Sequence, residues 1–215
     1  MKIKAKKNKT CAAVILNYNH ADFLEKLLQS ICNQNIPFDE ILVIDDFSND
    51  NSVSIINDVK SQYPNIRLIK NKKNLGVVAN LNKGTRLIKS NYIYFVSSDD
   101  QYRKNITSVF HNSIRKHPNI AMISGNISRK AINSDKIYHL ELPFPPEITL
   151  SSPNLYKSMA KKTAITFLGG ANIIRKDIII SNGMFQTQLK WYADWYIYQL
   201  IAFSEKIFIT NETFM

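Results

Sequence analysis

Acidic and amide side chains gather at a few places in this sequence, and their types limit the chemistry open to them. Ser97-Ser98-Asp99-Asp100 closes an apolar run from Tyr92 to Val96. Adjacent carboxylates repel unless a cation or hydrogen-bond donors offset them. Hard divalent ions take oxygen ligands and keep substrate phosphates in their coordination shell. Asp99 and Asp100 therefore read either as ligands of Mg2+ or Mn2+, bridging to a diphosphate and neutralising it as it leaves, or as a helix cap on a solvated turn. Asp45-Asp46-Phe47-Ser48-Asn49-Asp50 closes a second apolar run, Ile41 to Ile44. A carboxylate there can accept from an N–H of a bound base; uracil offers one at N3 and cytosine does not. Ser48 and Asp50 are at the same time N-cap candidates for the helix that follows.

Three weaker groups accompany these. Asn17-Tyr18-Asn19 ends the first apolar run, and Tyr18 can offer its ring face to a base, with stacking worth roughly 1–3 kcal/mol; an ordinary half-buried tyrosine is the alternative. Asn74-Leu75-Gly76 and Asn82-Lys83-Gly84 supply glycines for a tight turn or a close ligand approach, although Asn-x-Gly is also a common turn. In Trp191-Tyr192-Ala193-Asp194-Trp195 a single carboxylate stands among aromatics at a helix start. Asp194 reads either as a charge favoured by the helix dipole or as a general base.

These groups need a scaffold that brings them together. Apolar runs at Ala12–Leu16, Ile41–Ile44, Ile66–Ile69 and Tyr92–Val96 alternate with helical patterns over Asp22–Asn33, around Val53, Ile56 and Val59, and from Gly76 to about Lys89. That rhythm predicts a doubly wound, mostly parallel α/β sheet with helices on both faces. Ligands of such sheets sit at the carboxyl ends of the strands, where the polar groups fall. The later part predicts a helix at Ile106–Lys116, strands near Ala121–Ile123, Asn172–Ile174 and Ile207–Ile209, and helices at Lys176–Ser181 and Ala193–Phe203. Residues 126–152 hold a short β run and a Pro-rich stretch (Pro143, Pro145, Pro146, then Pro153) and read as an irregular insertion or loop. We expect one domain over residues 11–215, with residues 11–101 as the nucleotide-binding half and 102–215 as the acceptor half, behind a basic tail at 1–10.

Composition narrows the class. The 215 residues are 45% hydrophobic, as in a globular protein. No apolar stretch is long enough to span a membrane, and the basic start lacks a secretory signal, so a cytoplasmic location is expected. Cys11 and Cys32 read as free thiols, and the four histidines as structural or surface residues. The net charge of +11 favours an anionic partner. Lysines cluster at 2–9, 70–73 and 157–162, which suits a diphosphate substrate or peripheral contact with an anionic membrane. Nucleic acid is not expected as a partner, because no RNA-binding signature appears and the acidic strand ends would repel a phosphate backbone.

Taken in order, the motifs resemble family 2 glycosyltransferases of the GT-A fold. Val14-Ile15-Leu16-Asn17-Tyr18-Asn19 is similar to the family's opening strand. Ile44 to Asp50 resembles its Asp-Asp-x-Ser-x-Asp, and Tyr92 to Asp100 resembles the strand carrying its Asp-x-Asp-Asp. Gly183-Met184-Phe185 with Ala193-Asp194-Trp195 resembles its Gly-x-Phe and Glu-Asp-Trp region. The resemblance implies an inverting transfer of a sugar from a nucleoside diphosphate sugar, a UDP-sugar by the Asp46 argument, to a glycan or lipid-linked acceptor. It implies that Tyr18 flanks the base, Asp46 binds uracil N3, Asp99 holds ribose or metal, Asp100 holds the metal, and Asp194 deprotonates the acceptor hydroxyl. Asn17, Asn19, Asn74, Gly76 and Lys83 complete the implied nucleotide site. The sequence departs from the pattern at Ser97, where an Asp is usual, at Ala193, where a Glu is usual, and at Leu81, where an Arg is frequent. The last departure shifts diphosphate neutralisation to lysines such as Lys73 or Lys83, or to the metal. Many members of the family continue past the last strand, which implies a shortened chain or a reduced acceptor site here. The competing reading is a catalytically inactive nucleotide-binding module of a larger glycan-synthesis assembly. A nucleotidyltransferase is disfavoured, because Asn17-Tyr18-Asn19-His20 stands where such enzymes carry a Gly-rich basic loop.

Overall fold

The computed structural model describes residues 9–130, 136–144 and 150–215. Its first half alternates strands and helices: β1 (Cys11–Asn17), α1 (Ala21–Cys32), β2 (Glu40–Asp45), α2 (Ser52–Gln62), β3 (Ile66–Lys70), α3 (Val77–Leu87) and β4 (Tyr92–Ser97). The second half holds α4 (Ile106–Lys116), β5 (Met122–Lys130), β6 (Ile137–Leu140), β7 (Leu150–Ser151), α5 (Pro153–Ala160), β8 (Asn172–Arg175), α6 (Lys176–Ser181), a short 3-10 stretch at Thr187–Tyr192, α7 (Ala193–Ser204) and β9 (Ile207–Thr213).

The strands form one nine-stranded sheet in the order β3-β2-β1-β4-β8-β5-β9-β7, with β6 paired to β5. β1 pairs in parallel with both β2 and β4, and β2 with β3. β8 is antiparallel to β4 and to β5, while β9 is parallel to β5. The chain winds from β1 outward to β3 and then crosses back to β4. The crevice where that order reverses lies at the carboxyl ends of β1 and β4, the place where open α/β sheets bind ligands.

Strand alternation sorts the core into two layers. Cys11, Ala13 and Ile15 of β1 and Tyr92, Tyr94 and Val96 of β4 face α1, α2 and α4. Ala12, Val14, Ile93 and Phe95 face α3, α5, α6 and α7. A strand buried on both sides must be apolar throughout, which is why these runs are legible as continuous hydrophobic blocks.

Three expectations need correction. The segment read as irregular carries regular structure where described: β5 continues to Lys130, and β6 and β7 follow. Residues 131–135 and 145–149, with Pro145 and Pro146, lie outside the described residues. Pro153 opens α5, whose N-cap Ser152 accepts from the Leu155 N–H; proline suits that first position because its missing N–H would be unpaired there anyway. Finally, Ser48 does not cap α2. The N-cap is Asn51, and Asp50 accepts from the Ser52 N–H at 2.9 Å.

Candidate active site

The loops leaving β1, β2, β3 and β4 are stitched together by side chains. Asp45 is buried and accepts from Asn17 Nδ2 at 2.9 Å and from the Ser48 hydroxyl at 2.5 Å. Ser48 Oγ in turn accepts from the Asn19 N–H at 3.0 Å, and Asn19 Oδ1 accepts from the Asn49 N–H at 2.9 Å. Asn19 adopts φ 54, a left-handed value that Asn tolerates better than most residues. Asn17 and Asn19 thus shape the loops, and Tyr18 between them is left 45% exposed. Phe47, at φ 69 and 57% exposed, projects from the adjacent loop. Nothing in the acidic motif from Asp45 to Asp50 marks its one apolar member, Phe47, as exposed.

Asp46 works on the other side of β2. Its Oδ1 accepts from Asn71 Nδ2 at 2.7 Å and from the Leu75 N–H at 2.8 Å, and its Oδ2 accepts from the Gly76 N–H at 2.8 Å. Burial alone would raise this carboxyl, but the donated hydrogen bonds outweigh it and hold the group below its ordinary value. Asn74 Oδ1 also accepts from Gly76 N–H, closing the turn, and Gly76 at φ 82 and ψ 162 occupies backbone space that side chains disfavour. The amide network runs on: Asn71 donates to Asn80 Oδ1, and Lys83 Nζ donates to Asn71 Oδ1. Lys83 is therefore coupled to Asp46 through one asparagine. The rest of Asn82-Lys83-Gly84 is structural. Asn82 exchanges two hydrogen bonds with the Phe185 backbone, and a Cβ on Gly84 would lie 2.5 Å from Val14 Cγ1.

Across the crevice, the β4 loop is tied to the β1 loop by His20 Nδ1 and Ser98 Oγ, 2.5 Å apart. This gives the histidine a bridging place that its isolated sequence position did not suggest. Asp99 is exposed and accepts from Ser97 Oγ at 2.7 Å; Asp100 is half-buried and accepts from the Tyr102 hydroxyl at 3.3 Å. Burial first, and the Asp99 charge second, raise the Asp100 carboxyl above its ordinary value. One oxygen of each carboxylate carries a hydroxyl donor, and no donor meets the other oxygen among the described residues. No cluster of three or more His, Cys, Asp or Glu side chains suited to a metal occurs among the described residues. Two adjacent carboxylates with unengaged oxygens fit an ion that completes its shell from substrate phosphate and water, and do not form an all-protein cage.

Asp194 comes from the far half of the chain. β8 runs antiparallel to β4 with Ile173 opposite Tyr94, so Gly169-Gly170, just before β8, lies beside the end of β4. A Cβ on Gly169 would stand 3.6 Å from Asp194 Oδ2; one on Gly170 would stand 3.4 Å from Tyr102 Oη, the hydroxyl that donates to Asp100. Asp194 and the Tyr102–Asp100 pair thus flank the same glycine pair. Asp194 accepts from the Trp195 N–H at 2.7 Å, yet burial prevails and raises its carboxyl. The double glycine is visible in the sequence, but its place beside Asp194 depends on strand order. Both cysteines are free thiols, Cys11 buried and Cys32 half-buried, with Cys32 pushed up to about 11 by burial.

Sheet order and topology define an α/β domain whose switch-point crevice is lined by the acidic strand ends. The model of glycosyl transferase family 2 matches residues 12–181, and the chain belongs to that family. Among curated proteins it is similar to the cholesterol galactosyltransferase of Borreliella burgdorferi, 23% identical over 94% of this chain and 58% of that protein. It is also similar to the minor teichoic acid biosynthesis protein GgaA of Bacillus subtilis, 27% identical over 90% of this chain and 43% of that protein. Among solved structures, S. aureus TarS 1-349 in complex with UDP superposes with a TM-score of 0.74 at 18% identity, covering 95% of this chain and 59% of that one. Mannosyltransferase PcManGT from Pyrobaculum calidifontis, in complex with GDP-Man and Mn2+, gives 0.68 at 16% identity, covering 97% and 57%. The chain spans a little over half the length of the first of these relatives. Among the described residues no helix is long and apolar enough to cross a membrane.

Proposed function

We propose that this protein transfers a sugar from a nucleoside diphosphate sugar, a UDP-sugar, to a hydroxyl of a glycan or lipid-linked acceptor, with inversion at the anomeric carbon. The observation that supports the reading is that Asp194 lies beside Gly169, next to the Gly170 backbone that neighbours Tyr102, whose hydroxyl donates to Asp100.

Residues 11–101 form the donor half. Tyr18 stacks on the base, and Phe47 offers a second exposed ring on the neighbouring loop. A carboxylate has about four lone-pair sites; Asp46 uses three on Asn71, Leu75 and Gly76, and the one left on Oδ2 accepts from uracil N3–H. Asn17, Asn19, Asn74 and Gly76 hold the loop shapes. Lys83 supplies positive charge toward the diphosphate. Asp99 and Asp100 would hold Mg2+ or Mn2+, which when bound neutralises the diphosphate as it departs; Asp99 also reaches the ribose.

Residues 102–215 form the acceptor half. Asp194 takes the proton of the acceptor hydroxyl, whose oxygen forms a bond to the anomeric carbon. The bond from that carbon to the diphosphate oxygen breaks, and the nucleoside diphosphate leaves from the opposite face. A carboxyl whose pKa is raised toward the working pH suits a general base. Relatives named for cholesterol and for teichoic acid support a lipid or surface-polymer acceptor, reached by peripheral contact with an anionic membrane from the cytoplasmic side.

Calorimetry with UDP, CDP and GDP, each with and without Mn2+, tests the donor site. We expect Mn2+-dependent, UDP-selective binding that is lost in Asp46→Ala and Asp100→Ala. Absence of binding to any of the three would remove the assignment.

A further inference from the structure

Helix α7 contains one charged residue, Asp194, and is apolar on both sides. Its inward side packs Ala193, Ile197, Tyr198, Ile201 and Ala202 into the core. A surface helix ordinarily turns charged and polar groups outward. Here Tyr192, Trp195, Tyr196 and Phe203 follow one another at helical spacing and are 69%, 41%, 39% and 40% exposed. Trp191, immediately before the helix, is 86% exposed. The chain kinks just ahead of it at Lys190, with φ 49 and ψ −117. Singly exposed apolar residues need no explanation, but a contiguous group of large aromatics does.

The surroundings are cationic. Helix α5 packs along α7 through Tyr156, whose ring meets Phe203 edge-on at 5.0 Å and whose hydroxyl donates to Gln199 Oε1. Lys157, next to Tyr156, and Lys161 and Lys162, just past the end of α5, are exposed. Lys190 is exposed at the other end of the aromatic row.

We propose that the outward face of α7, with Trp191 ahead of it, is seated in the headgroup region of an anionic lipid bilayer, which holds the crevice that Asp194 borders from the inward side of the same helix close to a lipid-borne acceptor hydroxyl. The inference deepens the proposed function and rests on its lipid-linked acceptor. Tryptophan and tyrosine favour the membrane–water interface, where an apolar ring and a polar tip are both accommodated. An interfacial helix lays its apolar face into the headgroup boundary, and neighbouring lysines add attraction to anionic lipid. A soluble glycan would call for hydrogen-bonding side chains between the rings; this face offers Gln199 alone between Tyr196 and Phe203.

The test uses the two tryptophans of the chain, both in this row. Intrinsic fluorescence should shift to the blue with phosphatidylglycerol–phosphatidylcholine vesicles, be quenched by brominated acyl chains, and return on adding about 0.5 M salt. Phosphatidylcholine vesicles alone should give little shift. Lys157→Gln/Lys161→Gln/Lys162→Gln should weaken vesicle binding at least ~10-fold by the same readout. Trp191→Ser/Trp195→Ser, followed by co-sedimentation, should weaken it as much while leaving UDP calorimetry unchanged. No blue shift with intact UDP binding would overturn the membrane seat and leave the donor reading standing. Unaltered vesicle binding in the tryptophan variant, or a shift with soluble oligosaccharide in place of vesicles, would also overturn it. Vesicle binding without UDP binding would support the seat and remove the donor reading.

Discussion

Gly169 faces Asp194: a Cβ at position 169 would stand 3.6 Å from Asp194 Oδ2, whereas at Gly170 it would stand 2.7 Å from Met215 Sδ. The first distance is ordinary contact and the second is not. Gly170 also has φ 75, in the left-handed region. We expect Gly169→Ala to keep wild-type stability to within about 0.5 kcal/mol while slowing transfer, because its methyl group occupies space beside the proposed base. Gly170→Ala should lose about 1–2 kcal/mol, chiefly to left-handed backbone strain, because the flexible Met215 thioether can move aside. Urea denaturation of both variants decides this; equal stability would contradict the left-handed backbone at Gly170.

Asp194→Asn should lower the transfer rate about 10²–10⁴-fold with UDP affinity unchanged. The proposed base acts deprotonated, and the Asp194 carboxyl is raised by burial. Wild-type rates should therefore climb with pH through a value above that of an ordinary aspartate, and the variant should lose this acid limb. Saturating Mn2+ keeps Asp100, also raised, from contributing. An unchanged pH profile in the variant would assign the base elsewhere.

The parallel half of the fold was legible because β1, β2 and β4 are buried on both faces and end in polar residues. Cys11–Asn17 and Tyr92–Ser97 stand within two residues of the apolar runs that announced them. Helix α5 was not legible: the prolines at 143, 145 and 146 just before it hid the Ser152–Pro153 start, a capping signal that lies in the sequence. Within the site, sequence identified Asp46 but not its partners, since Asn71, Leu75 and Gly76 meet it only once β3 lies beside β2. Likewise, the repeated Asn-x-Gly pattern concealed two jobs. Gly76 turns the chain, and Gly84 lets α3 approach β1.

Gly84→Ala tests the second job. Its Cβ would fall 2.5 Å from Val14 Cγ1 and 3.5 Å from Ile44 Cδ1, inside the core beneath the donor loops. Overpacking there should cost about 1–3 kcal/mol. Val14→Ala in the same chain should recover part of that loss, although alone it leaves a cavity. A double-mutant cycle measures the coupling; strict additivity would mean that α3 does not rest on Val14.

Asp46→Asn removes acceptor capacity that three donors use. An amide leaves at least one of Asn71, Leu75 or Gly76 facing another donor, at about 1–3 kcal/mol for an unsatisfied buried group. The Asp46 carboxyl is held below its ordinary value. Its stabilisation is therefore fully present above the ordinary aspartate pKa and lost as pH falls through the folded value. The stability difference between wild type and variant should accordingly be largest near neutrality and shrink below about pH 4. A difference that stays constant into acid would show that the three hydrogen bonds are not made to an ionised group.

Asp100→Asn should have the opposite sign in metal-free protein. The folded carboxyl is raised, by burial and then by Asp99. It binds its proton more tightly when folded, so its contribution is full below the ordinary aspartate pKa and is lost as pH rises through the raised value. At neutral pH the metal-free variant should be as stable as wild type or more so. Mn2+ should raise the wild-type Tm, because a ligand that binds only the folded state stabilises it, and the variant should lose most of that gain together with at least ~10-fold in UDP affinity. A site retained for its chemistry at some cost in stability behaves this way. Equal Mn2+ stabilisation of variant and wild type would place the metal away from Asp100, and with it the end of the crevice from which the diphosphate departs.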